Sequence, residues 1–209
     1  MITLGIENPF DRYIFCEQNP ENIDALTKRV KAEYPGMDTH FVNGDANDSV
    51  DKILSLIPQY SPSFKVLAFC FVDPFKTDNF KFETLRKLSV KFMDFLILIP
   101  TGMDANRNVS YYVRQDSRNV ADFIGRDDWR DDWRQAEATG EKFGLFFLKQ
   151  FCTSMDAIGY KYSAAENSVD IRSSKNFSLY RLAFFSKHKL AHQFWDDVKK
   201  YSKPQLDLF

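Results

Sequence analysis

The chain has 209 residues and a mass of 24.4 kDa, room for one sizeable domain and little more. Hydrophobic residues at 44% and charged residues at 27% exclude wholesale disorder. With 28 basic against 29 acidic side chains, the formal charge of -1 supplies no global field toward nucleic acid or an anionic membrane. Any such contact must be local.

The first two-thirds of the sequence alternates strand and helix. Arg12 to Glu17 is a short apolar run ending in an acid and predicts a buried strand. Asn19-Pro20-Glu21 then supplies an N-cap, a proline at the first helical position and an acid in the first turn. Ile23, Leu26, Val30 and Tyr34 give that helix an apolar face until Pro35-Gly36 stops it. Thr39 to Asn43 predicts a second strand, running into Gly44-Asp45-Ala46-Asn47, with helix again from Asp48 to Ile57. Phe64 to Val72 is apolar almost throughout, as a central parallel strand covered on both faces should be, and ends in Asp73-Pro74-Phe75. A helix near Phe80 to Leu88 and a strand from Asp94 to Ile99 follow, closed by Pro100-Thr101-Gly102. This order predicts an α/β, doubly wound, mostly parallel sheet with right-handed crossovers.

The pattern breaks over 103–140, which reads as a polar insertion with some helix. A long helix resumes from Glu141 to Ala157. Val169 to Ser173 and Leu179 to Ser186 predict a closing antiparallel hairpin, and Ala191 to Tyr201 a last amphipathic helix. The sequence thus reads as one domain over 1–201 with a tail over 202–209.

Neither long apolar run, Phe64 to Phe75 or Phe92 to Pro100, reaches the roughly 20 residues of a membrane helix. The first residues carry no basic region or cleavage site, so no signal peptide is expected. Cys16, Cys70 and Cys152 are odd in number and lie in apolar stretches, as reduced, buried thiols do. A cytoplasmic protein without membrane contact is the expectation. The 21 phenylalanines point to a thick aromatic-rich core or a buried partner surface. No two glycines are separated by a single residue, so no G-x-G phosphate loop is present.

Glu17, Asp45 and Asp73 stand at or just after the carboxyl ends of three successive strands, the edge where open α/β sheets bind ligands. Asp45 and Asp73 also suit helix caps or turns. Two chemistries use such acids. Carboxylates after nucleotide-binding strands accept hydrogen bonds from ribose hydroxyls or an adenine amine. Clustered carboxylates alternatively hold Mg²⁺ for nuclease or phosphatase chemistry. Asn43 and Asn47 complete either site, and no dedicated metal-ligand pattern stands out; His188 and His192, four apart, read as surface helix.

Arg12 to Glu17, Asn43 to Asn47 and Phe71 to Phe75, with Leu96 to Asn108 and Leu179 to Trp195, resemble successive motifs of class I S-adenosylmethionine-dependent methyltransferases. More narrowly, the chain resembles the three-Cys-motif partner protein family. The resemblance implies a methyltransferase-like sheet acting beside a partner with a three-Cys, radical-type motif. It implies that Glu17 and Asp45, with Asn47, hold S-adenosylmethionine at its ribose and adenine. Asp73, Pro74 and Phe75 would form the catalytic face where the methyl acceptor arrives. Amine-modifying relatives carry a second proline there, which this chain lacks. The family's first strand and glycine-rich loop are also missing, and Ile2 to Phe10 reads as the end of the helix that follows them. Three resolutions are open: an upstream start, direct pairing of the strands ending at Glu17 and Asp73, or a strand from a partner. A non-catalytic domain is a further alternative.

The tail Gln205-Leu206-Asp207-Leu208-Phe209 matches the pentapeptide by which many bacterial proteins bind the DNA sliding clamp. Leu206, Leu208 and Phe209 suit apolar pockets, and Gln205 suits orienting hydrogen bonds. In the insertion, Arg126 to Arg134 repeats with period four and places Trp129 and Trp133 on one helix face. A salt-bridged cover with both indoles inward is the plainer reading. Base stacking by Trp129 and Trp133 beside Arg107, Arg114 and Arg118 is the functional one, for nucleic-acid substrate contact.

Overall fold

Asn19 caps the first helix as its sequence predicts: its side-chain oxygen accepts from the N–H groups of Glu21 and Asn22, and Pro20 opens α1 (Pro20–Glu33). The computed structural model describes residues 2–161 and 165–201. The chain divides into two compact units, Met1–Val66 and Leu67–Phe209.

In the first unit, β1 (Tyr13–Glu17) and β2 (Thr39–Asn43) pair in parallel, Tyr13 opposite Thr39 and Glu17 opposite Asn43. Leu4, Tyr13 and Val30 form the buried centre, with Phe15, Leu26, Tyr34, Met37 and Phe41 packed around it. Phe15 stacks on Phe41 with ring centroids 5.6 Å apart. Ile2–Leu4 is a short 3-10 turn rather than the end of a longer helix, because Tyr13 fixes it there: the phenol donates to the Thr3 carbonyl and accepts from Phe10 N–H. Helix α2 (Val50–Leu56) starts two residues later than Asp48, since Asp48 and Ser49 donate to the Asp45 carbonyl in a turn that precedes it.

The second unit is built on a mixed sheet in the order β3-β4-β6-β5, from β3 (Ala68–Val72), β4 (Met93–Ile99), β5 (Val169–Arg172) and β6 (Ser178–Phe185). β3 and β4 are parallel; β6 runs antiparallel to β4 and to β5, giving the expected hairpin. The alternation of strands and helices makes this an α/β protein. Rather than one sheet, the strands form a two-stranded and a four-stranded ladder, and β3 has β4 as its ladder partner. The apolar run from Phe64 enters the ladder only at Ala68, because Ser61 and Phe64 close a tight turn on each other.

Five of the 21 phenylalanine rings form a buried cluster. Phe82 of α3 (Phe82–Leu88), Phe123 of α5 (Asn119–Ile124), Phe147 and Phe151 of α7 (Phe143–Ala157), and Phe185 of β6 are all buried. Their centroids lie 5.0 to 5.8 Å apart in tilted and edge-on pairs. Helices α4 (Val109–Tyr112), α5 and α6 (Trp129–Ala138) occupy the segment read as a polar insertion, and α8 (Lys189–Tyr201) closes the chain's described part. No helix among the described residues is long and apolar enough to cross a membrane.

Candidate functional site

The parallel pairing of β1 with β2 brings Glu17, Asn43, Asp45 and Asn47 to one edge. Asn43 Nδ2 donates to the carbonyls of Glu17 and Gln18 at 3.1 and 3.2 Å, and Gly44 N–H also donates to Glu17. The two strand ends are therefore stitched together before their side chains diverge. The Glu17 carboxylate accepts from Asn19 N–H through Oε1 at 2.7 Å, and Asp45 Oδ1 accepts from Asn47 N–H at 2.7 Å. Asp45 is thus a turn former, as its residue type allows, and both carboxylates keep acceptor capacity on their second oxygens. Glu17, Asp45 and Asn47 are all half-buried, so ligand and solvent can both reach them. Beneath them the Cys16 thiol is pushed up, first by burial, and approaches the Gly44 carbonyl at 3.5 Å.

In the second unit, the carboxyl ends of β3 and β4 carry Asp73-Pro74-Phe75 and a π-helical turn, Thr101–Ala105. Pro74 is buried, while Phe75 is 66% exposed. Asp73 as a residue faces solvent, yet burial pushes its carboxyl pKa up. The rise follows from the desolvated side of the group and is damped by the open side. Tyr180 of β6 lies close by: its phenol is raised by burial and then by the charges of Asp73 and Asp104.

Asp104 is the anchor of this edge. It is 5% exposed and accepts from Thr77 N–H, Thr77 Oγ1 and Tyr112 OH, each at 2.7 Å, and from Asn108 Nδ2 at 2.6 Å. Burial alone would raise its pKa, but these donors outweigh burial and hold the carboxyl below its ordinary value. Burial also pushes the Tyr112 phenol well above its usual range. The turn backs onto two close approaches. A Cβ on Gly102 would stand 1.9 Å from the Ser178 carbonyl oxygen, and one on Gly144 would stand 2.7 Å from that of Thr101. Asn106 Oδ1 accepts from Gly144 N–H at 2.7 Å, tying the turn to the start of α7.

The insertion residues separate. Trp129 and Trp133 are buried, their rings packed on Phe143 and Phe146. The stacking expected of them toward bases is taken by the protein's own rings, as in the cover-segment reading. Arg107 and Arg114 are exposed; Arg114 is paired with Asp116 at 2.7 Å and lies over the Tyr111 ring. Arg118 pairs with Asp122 and Asp127. On α8, His192 is buried and its Nε2 meets the Ser186 carbonyl, an inward histidine rather than a surface one.

Among the described residues, no group of three His, Cys, Asp or Glu side chains is placed to hold a metal ion. The clamp-binding residues Gln205, Leu206, Leu208 and Phe209 lie outside the described residues. No protein-family model, curated protein or solved structure matches the chain. Sequence reasoning missed Thr77, Asp104, Tyr112 and Tyr180; the Thr101–Ala105 segment was singled out only as part of a resemblance.

Proposed function

We propose that this protein is an S-adenosylmethionine-binding, methyltransferase-like protein of the doubly wound type, similar to three-Cys-motif partner proteins and acting on or near nucleic acid beside such a partner. The observation that carries the reading is the Glu17, Asn43, Asp45 and Asn47 group at the carboxyl edge of a parallel ladder. Half-buried carboxylates with unspent oxygens fit a ribose diol and an exocyclic amine, both of which donate hydrogen bonds. In this reading Glu17 holds the ribose, and Asp45 with Asn47 receives the adenine. When bound, the cofactor supplies a methyl group carried on a sulfonium. Asp73, Pro74 and Phe75 form the acceptor face: Phe75 offers an exposed ring, and the Asp73 carboxyl, held above its ordinary value, suits taking a proton from an attacked amine.

Calorimetric titration with S-adenosylhomocysteine tests the reading. Saturable binding that Glu17→Ala abolishes is the expected result; flat heat from a folded sample overturns it. A second reading, a non-catalytic adaptor, is favoured by the match of Gln205-Leu206-Asp207-Leu208-Phe209 to the clamp-binding pentapeptide. It predicts no cofactor heat, but clamp association that is lost on deleting Gln205 to Phe209 with the melting temperature unchanged.

A further inference from the structure

Strand register brings Tyr180 and Asp73 to one corner of the four-stranded sheet. β6 runs antiparallel to β4, with Leu98 opposite Leu182 and Ile99 opposite Arg181, so Tyr180 comes level with Pro100, just past the carboxyl end of β4. Ile97, Ile99, Ala183 and Phe185 share the buried face, which leaves Leu98, Leu182 and Tyr180 on the other. Phe71 is in register with Leu96 and shares that second face, and Asp73 follows it at the two-residue period. The carboxyl and the phenol thus stand at one edge of one face, their backbones two strand spacings or about 10 Å apart. The phenol is near enough to feel the Asp73 charge.

Neither group is spent inside the protein. The hydroxyls of Tyr13, Tyr112 and Tyr160 all bond to protein atoms. Among the described residues, half-buried Tyr180 has no such partner for its hydroxyl, nor has Asp73 for its carboxyl. Burial raises Asp73 with no donor to offset it, whereas Asp104 is held down by Thr77, Tyr112 and Asn108. Burial and then the two carboxylate charges also keep the Tyr180 proton in place, so at neutral pH its O–H is a donor.

We propose that Tyr180 is the specificity-determining residue of the acceptor site, and that the site takes the Watson–Crick edge of an unpaired adenine or cytosine: the exocyclic amine donates to Asp73, and Tyr180 OH donates to the bare ring nitrogen beside that amine. This deepens the reading above and rests on it for the Asp73-Pro74-Phe75 acceptor face. The match is one of donors and acceptors. An amine next to a bare ring nitrogen is the complement of a carboxylate next to a phenol O–H. Uracil and thymine present a carbonyl next to a ring N–H, which sets an acceptor against the carboxylate and leaves both unpaired. In a duplex the same edge is occupied by the opposite base, so the base must be single-stranded or turned out of the stack. The exposed ring of Phe75 then offers it an apolar face.

Fluorescence anisotropy with labelled single strands of about eight nucleotides, oligo-dC and oligo-dU, tests this on the full chain with and without S-adenosylhomocysteine. The two strands differ only at the edge in question. The wild type is expected to bind oligo-dC about tenfold more tightly than oligo-dU, and to lose that binding when oligo-dC is paired with oligo-dG. Tyr180→Phe removes a hydroxyl with no partner among the described residues, so the melting temperature should stay in place while the dC-to-dU ratio falls to within about twofold of unity. Asp73→Asn should lower the ratio as well, because an amide can donate to the uracil carbonyl. A wild type that binds neither strand or both equally, or a ratio that Tyr180→Phe leaves intact, overturns the proposal. That failure with S-adenosylhomocysteine still bound in the calorimeter strikes the base edge alone. A Tyr180-dependent preference for oligo-dC without cofactor heat supports the base edge and strikes the cofactor reading alone.

Discussion

Thr77 gives both of its donors, the backbone N–H and the hydroxyl, to the same oxygen of Asp104, each at 2.7 Å. That one contact joins the loop after β3 to the turn after β4, and Tyr112 OH and Asn108 Nδ2 fill the other oxygen. The edge that displays Asp73-Pro74-Phe75 is therefore held by a buried carboxylate.

Removing that carboxylate strands several donors at once. Asp104→Ala should cost about 3 kcal/mol, lowering the melting temperature by roughly 6–12 °C in a chain of this size. The pH dependence has a definite sign. A carboxyl held below its ordinary value of 3.8 stabilises the fold above that value and loses the contribution as pH falls through the lower folded value. The gap between wild type and Asp104→Asn in thermal melts should therefore be widest at neutral pH and shrink as the pH falls below about 4.

Asp73 runs the other way. Its folded pKa is raised, so the folded chain binds the proton more tightly than the unfolded one, and stability falls as pH rises above 3.8 through the folded value. Asp73→Asn should raise the melting temperature at neutral pH, and the gain should vanish below about pH 4. The gain should be well under the about 1.4 kcal/mol of a full pKa unit, because the residue is open to solvent. A variant that melts lower at pH 7 would contradict this assignment.

Gly102 is needed for space rather than for an unusual backbone angle. A methyl group 1.9 Å from the Ser178 carbonyl oxygen forces the turn off the start of β6. Gly102→Ala should destabilise by about 1–3 kcal/mol in chemical denaturation, and Gly36→Ala, where nothing lies within 4 Å, should not follow it.

The insertion can be sorted by thermal melts and binding together. Trp129→Ala empties a fully buried indole site and should cost about 3–5 kcal/mol. Arg107→Ala sits on the surface and should leave the melting temperature in place while weakening any nucleic-acid contact made there, whereas Arg114→Ala, its charge already met by Asp116, should change that contact little. Loss of binding in Trp129→Ala without loss of stability would return the indole to the substrate.

Much of this was legible in the residues because the signals were local. Asn19-Pro20-Glu21 announces α1, and Glu17 and Asp45 sit at strand ends because short apolar runs stop at acids. The division into two ladders was not legible, since strand order depends on contacts far apart in sequence. The insertion's helices were obscured by their shortness and charge: α4 has four residues and α5 six, and neither has a side-chain cap. Asp104 gave no sequence signal of its own, because Thr77 lies 27 residues before it and Tyr112 eight after. Only tertiary packing makes those residues neighbours.

Arg130 spends its guanidinium on main chain, donating to the carbonyls of Tyr112, Val113, Arg114 and Ser117 where α4 ends. Arg114, Arg118, Arg126 and Arg134 are each neutralised by an aspartate. A segment that counts as arginine-rich therefore offers a polyanion little beyond Arg107. If it meets nucleic acid, the logarithm of the binding constant should fall against the logarithm of salt with a slope near about -1, the signature of one released counterion.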